Sequence, residues 1–121
     1  MHDVTTTIEG YFAVWNETDP TRRRELIAKT WSDDASYLDP MLDAEGQVGI
    51  DAMVTTVQEQ FPGHQFRLAG PIDSHHNRVR VLWELTGPNG GAPVISGLDT
   101  GVIASDGRLH SITGFLDHAP E

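Results

Sequence analysis

The amino-acid sequence predicts an α+β domain in which a cone-like curved sheet, mixed or antiparallel, wraps around three N-terminal helices and encloses a pocket. The main observation is that the hydrophobic period changes from helical to strand at Pro62-Gly63, leaving only one short strand among the helices. Helices followed by a run of strands are typical of the α+β class. The length of 121 residues and the hydrophobic content of 38% suit one domain, residues 1–121, with a substantial core.

The first two helices are predicted from apolar residues at steps of three and four. The apolar positions of the first helix are Ile8, Tyr11, Phe12 and Trp15. Asp3 or Thr5 is placed to cap its N-terminus, and the segment 16–20 ends it at a proline. The second helix is then expected over Thr21 to Trp31.

A short extended run, 35–40, separates these helices from the third and ends at Asp39-Pro40. After a polar loop over 43–49, helical spacing resumes and stops at Pro62-Gly63. The apolar positions of this third helix are Ile50, Met53, Val54, Val57 and Phe61.

The rest of the chain is predicted to form strands and turns. Strands are expected over 66–72, 79–86, 94–103 and 109–116. The Asp106-Gly107 pair is a hairpin signal between the last two.

Two aspartates occupy positions where a soluble protein has little structural use for them. Asp39 closes the short extended run, and Asp99 lies inside a strand that reads as buried. A carboxylate that faces a core must be paired, hydrogen-bonded or protonated. On period-two alternation Asp99 shares its face with Gly97 and Gly101, so we expect open space over its carboxyl group.

Composition excludes several classes of partner. The formal charge of −10 argues against nucleic acid and anionic membranes. The chain has no cysteine and no motif for a metal or cofactor, and from its residues we expect neither a signal peptide nor a membrane span. We therefore expect a cytoplasmic protein without metal or cofactor.

Five local strings, in this order along the chain, resemble one family. They are Tyr11–Asn16 on the first helix, Trp31–Pro40, Gly49-Ile50, Gly97–Asp99 and Asp106–Arg108. With the order of elements, they resemble the nuclear-transport-factor-2-like superfamily, in its SnoaL-like and ketosteroid-isomerase-like branch, over nearly the whole chain. The fold hosts several chemistries, so the resemblance predicts the fold more sharply than the reaction.

The resemblance implies roles for three residues. Asp39 is similar to the general base that moves a proton beside a carbonyl, and Tyr11 and Asp99 are similar to the two donors that bind the oxyanion. It implies a cofactor-independent isomerase or cyclase that acts on a small hydrophobic compound, and a homodimer. A non-catalytic binding or assembly domain is the alternative. A minor alternative is dehydratase chemistry in which His110 works with an aspartate.

The chemistry can also be argued from the residues themselves. Proton abstraction beside a carbonyl needs a base near the carbon and donors aimed at the oxygen. Asp39, near solvent, suits an ionised base, and Asp99, on an apolar strand, suits a protonated donor whose pKa is raised.

Each of these residues also has a purely structural interpretation. Asp39 would cap the turn that follows it, Asp99 would pair with Arg80 or Arg108, and Tyr11 would pack in the core. Large apolar residues are expected to form the core and the pocket wall. Those assigned to the wall are Trp15, Trp31, Met53, Val57, Phe61, Trp83 and Phe115.

Overall fold

The computed structural model describes residues 3–118 and contains three helices and seven strands in that range. The helices are α1 (Val4–Asn16), α2 (Pro20–Thr30) and α3 (Gly46–Gln60). The strands are β1 (Trp31–Leu38), β2 (Asp43–Glu45), β3 (Gln65–Leu68), β4 (Asp73–His75), β5 (Arg78–Thr86), β6 (Ile95–Ile103) and β7 (Leu109–His118). The predicted α+β class is confirmed.

The helix boundaries follow from local chemistry. Asp3, one of the two predicted capping candidates, accepts a hydrogen bond from the Thr6 amide at 2.8 Å and so caps α1. Asp19 caps α2 in the same way, and Pro20 occupies its first turn, where no amide donor is needed. The second helix stops one residue earlier than predicted, because Trp31 begins β1. No helix within residues 3–118 is long and apolar enough to cross a membrane.

The strands form one mixed, open sheet in the order β2-β1-β7-β6-β5-β3, with β4 also paired to β5. All neighbours are antiparallel except β1 and β7, which run parallel. This register places Asp99 on β6 between Val81 of β5 and Gly114 of β7. The central strands thus present the Asp99 carboxyl from the middle of the sheet.

The core lies between the helices and one face of the sheet. On β5 the buried residues Val79, Val81, Trp83 and Leu85 alternate with more exposed ones, as period two requires. The predicted hairpin is confirmed at Gly107, whose φ of 88° requires glycine. The sheet curves around the helices in the cone-like manner that the sequence predicts.

Candidate functional site

One cavity, of about 360 Å³, opens on the helix-covered side of the sheet. Its polar lining residues are Tyr11, Tyr37, Asp39, Gln60 and Asp99, with the Trp83 indole. Its other lining residues are Phe12, Trp15, Met41, Leu42, Val57, Phe61, Phe66, Leu85, Ile95 and Leu116. All three residues with predicted roles, Asp39, Tyr11 and Asp99, line this cavity. A cavity of this size and lining can bind a small organic compound.

Asp99 is held by two neutral donors. The Tyr11 hydroxyl donates to its Oδ2 at 2.5 Å, and the Trp83 Nε1–H donates to its Oδ1 at 3.0 Å. Its residue surface is only 3% exposed. Arg80 pairs with Asp73 at 2.7 Å, so the alternative in which Arg80 neutralises Asp99 is wrong.

The pairing of Asp99 with Arg108 is also wrong. Arg108 forms its ion pairs with Asp106 at 2.8 Å and Asp33 at 3.4 Å. Burial raises the pKa of Asp99, the hydrogen bonds from Tyr11 and Trp83 lower it, and the nearby charge of Asp39 raises it. The net result is a pKa of about 6, which lies above the ordinary 3.8 in the direction that the sequence argument expected.

The glycines beside Asp99 make room for neighbours and do not leave open space. A β-carbon on Gly97 would lie 2.5 Å from the Trp83 ring, and one on Gly101 would lie 2.7 Å from Ile112. Asp99 does line the cavity, but the expectation that the flanking glycines create this space is wrong. Because Gly97 has no side chain, the Trp83 indole crosses β6 closely enough to reach Asp99.

Asp39 has both a structural and a site position. Its Oδ1 accepts the amides of Met41 and Leu42, each at 2.8 Å, which closes the turn after β1. Its Oδ2 accepts the Tyr37 hydroxyl at 2.7 Å. The turn-capping interpretation is confirmed, yet the same carboxyl group lines the cavity.

Tyr37 is a site residue that the sequence analysis missed. It is 3% exposed, lines the cavity and donates to Asp39. Burial, and then the charge of Asp99, raises its pKa far above the ordinary value. Period-two alternation places Tyr37 on the same strand face as Asp39, and this signal would have found it.

Gly114 is the point where the site residues converge. A β-carbon there would lie 2.7 Å from Asp99 Oδ1, 3.2 Å from Asp39 Cβ and 3.3 Å from the Tyr37 hydroxyl. Gly114 is the register partner of Asp99 on β7. The side chains of Asp39 and Asp99 therefore both pack over this glycine.

Tyr11 combines a core position with a place in the cavity lining. Its ring is 1% exposed and packs edge-on against Phe12 and Trp31, as the structural interpretation expected. Its hydroxyl nevertheless reaches Asp99. Burial, followed by the charge of Asp99, raises the Tyr11 pKa well above its ordinary value, so this hydroxyl keeps its proton and serves as a donor.

The predicted pocket wall is only partly correct. Trp15, Val57, Phe61 and Trp83 line the cavity. Trp31 and Met53 are buried in the core away from it, because helical and strand spacing identifies the buried side of an element without separating core from cavity.

Phe115 was also assigned to the wall and is 52% exposed on the other face of the sheet. The cause is a register shift between the β6–β7 pairs Val102–Ser111 and Ile103–Leu109. An extra residue in one strand reverses the alternation beyond it, so Ile112, Gly114 and Leu116 face inward.

His110 does not belong to the site. It lies on the exposed face of β7, where its Nδ1 is 3.5 Å from Asp34. The dehydratase alternative, which needs His110 beside Asp39 or Asp99, is therefore wrong. Among residues 3–118 no group of three or more histidines or acidic residues is arranged to hold a metal ion.

The sequence profile of the SnoaL-like domain matches residues 8–112. The chain belongs to the SnoaL-like family. No characterised protein matches this SnoaL-like domain in sequence. A solved structure from Agrobacterium tumefaciens str. C58, provisionally called an isomerase of the SnoaL-like family, is 41% identical, with 93% of this chain and 96% of that chain covered and a TM-score of 0.89.

More distant structures share the fold with this SnoaL-like domain. An NTF2-like protein of unknown function from Exiguobacterium sp. 255-15 is 20% identical, with a TM-score of 0.73 and coverage of 93% and 98%. A protein from Jannaschia sp. CCS1, provisionally called a SnoaL-like polyketide cyclase, is 17% identical, with a TM-score of 0.69 and coverage of 93% and 86%. The predicted SnoaL-like family is confirmed by the profile match, and these structures confirm the predicted NTF2-like fold.

Proposed function

We propose that this SnoaL-like domain is a cofactor-independent isomerase or cyclase that transfers a proton beside a carbonyl group of a small hydrophobic compound. One observation carries the proposal: Asp39, Asp99 and Tyr11 line a single, mostly apolar cavity. An enzyme of this kind needs a base and oxyanion donors around one substrate, whereas a binding domain needs only the cavity. The provisional name of the Agrobacterium relative, an isomerase, is consistent with it.

In the proposed mechanism Asp39 is the base. Its carboxylate takes the proton from the carbon next to the carbonyl, and the electrons of the broken C–H bond move into an enolate. Tyr11 and a protonated Asp99 donate hydrogen bonds to the enolate oxygen as its charge develops. Asp39 then returns the proton to a different carbon, which completes the isomerisation.

The donor network of Asp99 is compatible with this role. Trp83 occupies Oδ1, so Oδ2, the oxygen that faces the Tyr11 hydroxyl, is the one available to carry a proton. A pKa of about 6 means that the protonated form predominates at mildly acidic pH and falls to about a tenth at pH 7. When a carbonyl oxygen enters, Tyr11 and Asp99 can turn their protons toward it in place of their mutual hydrogen bond.

A non-catalytic binding domain is the second candidate, and one observation favours it. Both oxygens of Asp39 already accept hydrogen bonds, from two backbone amides and the Tyr37 hydroxyl. These bonds give both carboxyl oxygens a structural partner without any ligand in the cavity. In this alternative Asp39 serves only to stabilise the turn after β1.

An ultraviolet assay distinguishes the two candidates. It follows the conversion of β,γ-unsaturated ketones, cyclic and steroidal, to conjugated enones. We expect activity in the native protein and a loss of a hundredfold or more in Asp39→Asn. The matched control is Asp34→Asn, which removes the same charge from an exposed site, 81% accessible, on the outer side of β1. No turnover of any ketone, or equal rates in the native protein and Asp39→Asn, would contradict the proposal.

A further inference from the structure

The charges around the cavity are unbalanced. It contains the carboxyl groups of Asp39 and Asp99, and none of its lining residues within 3–118 is a lysine, arginine or histidine. Arg67 and Arg80 of the sheet have their own acidic partners on the surface, Glu84 at 2.8 Å and Asp73 at 2.7 Å. A buried carboxylate is normally neutralised by a cation or by protonation. None of the described lining residues supplies a counter-charge, which leaves that place to a cationic ligand wherever the carboxyl groups are ionised.

The walls of the cavity are suited to a cation as well. Seven aromatic side chains line it. Four of them form a continuous series, with ring centroids 5.7 Å apart for Trp15 and Tyr37, 5.1 Å for Trp15 and Phe66, and 5.5 Å for Phe66 and Trp83. Aromatic rings attract ammonium groups through their negative faces, most strongly where water is excluded.

We propose that this cavity binds a compact organic amine in its protonated form, with the ammonium group between Asp39 and Asp99 and the apolar part against the aromatic wall. The ammonium group would replace the missing counter-charge and donate hydrogen bonds to carboxylate oxygens. An anionic ligand of the same shape is excluded, because it would place a third negative group beside the two carboxyls in a protein of formal charge −10. The inference concerns binding and does not depend on turnover.

The pH dependence follows from the groups that face Asp99. These are Tyr11 of α1, Trp83 of β5, and Tyr37 and Asp39 of β1 and its following turn. The tyrosines stay neutral, so ionisation of Asp99 controls the change near neutrality. Amine affinity therefore rises as pH increases through about 6, where Asp99 loses its proton. An alkylamine itself stays protonated to about pH 10.

The experiment compares three probes that differ only in their end group: 4-phenylbutylamine, 4-phenylbutanol and 4-phenylbutyrate. Binding is followed by calorimetry and by tryptophan fluorescence, since Trp15 and Trp83 line the cavity. We expect the amine to bind at least tenfold more tightly than the alcohol at pH 7.5, because a hydrogen bond to a charged group is the stronger kind. The butyrate should bind most weakly. At pH 5 the affinity for the amine should fall, while the affinity for the alcohol should stay the same, so the preference for the amine over the alcohol should become smaller.

Substitutions test whether the two cavity aspartates cause the preference for the amine over the alcohol. Asp99→Asn and Asp39→Asn, each folded by circular dichroism, should each reduce the preference for the amine over the alcohol several-fold. Asp34→Asn, which changes the net charge equally, should keep it. If one cavity variant fails to fold, the other variant and the pH series on the native protein still test the amine-binding inference.

Three results would overturn the inference: alcohol or butyrate binding as tightly as the amine, no amine binding below millimolar concentration, or an equal loss in Asp34→Asn. These outcomes are independent of the ketone assay. A protein that isomerises ketones without preferring amines refutes only the inference, and one that binds amines without turnover refutes only the proposed function.

Discussion

Replacing Gly114 by alanine adds one methyl group at the point where the site residues converge. The new carbon would lie 2.7 Å from Asp99 Oδ1 and 3.2 Å from Asp39 Cβ. The Asp99 carboxyl cannot move away freely, because Tyr11 and Trp83 hold its two oxygens. The methyl group must therefore displace Asp99, the backbone of β7, or both.

The size of the effect follows from two opposing contributions. Overpacking of a well-filled site costs about 1–3 kcal/mol. Alanine also restricts the unfolded chain more than glycine, which restores about 0.4–1 kcal/mol. We expect Gly114→Ala to lower the free energy of unfolding by about 1–2 kcal/mol. For a domain of this length that corresponds to a fall in Tm of about 3–10 °C.

Thermal and urea unfolding, followed by circular dichroism, measure this change. Gly49→Ala is the matched control, because the nearest atoms to its new β-carbon, in Ala44, are 3.9 Å away. Gly49 lies inside α3, where alanine is favoured over glycine by about 0.5–1 kcal/mol, so this variant should be more stable. If Gly114→Ala is as stable as the native protein and binds ligand equally well, the close packing of the Asp39 and Asp99 side chains over Gly114 is refuted.

Two further predictions concern the tyrosine that holds Asp39 and the burial of Asp99. Tyr37→Phe removes the hydroxyl that fixes Asp39 Oδ2 but leaves the aromatic wall intact. It should therefore lower kcat for ketone isomerisation about tenfold with little change in KM, as measured by steady-state kinetics. An unchanged kcat would contradict this prediction. The Asp99 pKa is higher in the folded protein, about 6, than its ordinary 3.8, so the folded state binds more protons between these values and stability falls as pH rises through that window. Between pH 4 and pH 8 the native protein should lose up to about 3 kcal/mol of unfolding free energy relative to Asp99→Asn. Urea unfolding of both proteins across this range measures the difference. If their unfolding free energies change with pH in parallel, this burial effect is contradicted.

Much of the fold could be predicted because each element carries its own signal. Apolar spacing marks the three helices, and Asp3, Pro20 and Gly107 mark boundaries that local chemistry dictates. The β1–β7 parallel pairing has no such local signal, because it depends on which strand edges meet across the sheet. Homodimer formation and a cytoplasmic location stay predictions of the resemblance and the composition.

The site was predictable in its main residues and not in its details. The resemblance assigned Asp39, Tyr11 and Asp99, and the structure brings them together. Phe115 was misplaced because the shift in the β6–β7 register cannot be read from alternation. The role of Gly97 was misjudged for a similar reason. A glycine suggests open space, but the Trp83 indole of the neighbouring strand fills it, and the sequence does not show which strands are neighbours.

The most direct test of the central claim, that Asp39 removes a proton beside a carbonyl held by Tyr11 and Asp99, is deuterium exchange into cyclic ketones in heavy water, followed by NMR. This measurement detects proton abstraction even when the ketone has no double bond to move. We predict exchange next to the carbonyl in the native protein and in Asp34→Asn, and a loss of a hundredfold or more in Asp39→Asn. Exchange that persists in Asp39→Asn and disappears in Asp99→Asn would assign the base to Asp99 and contradict the account.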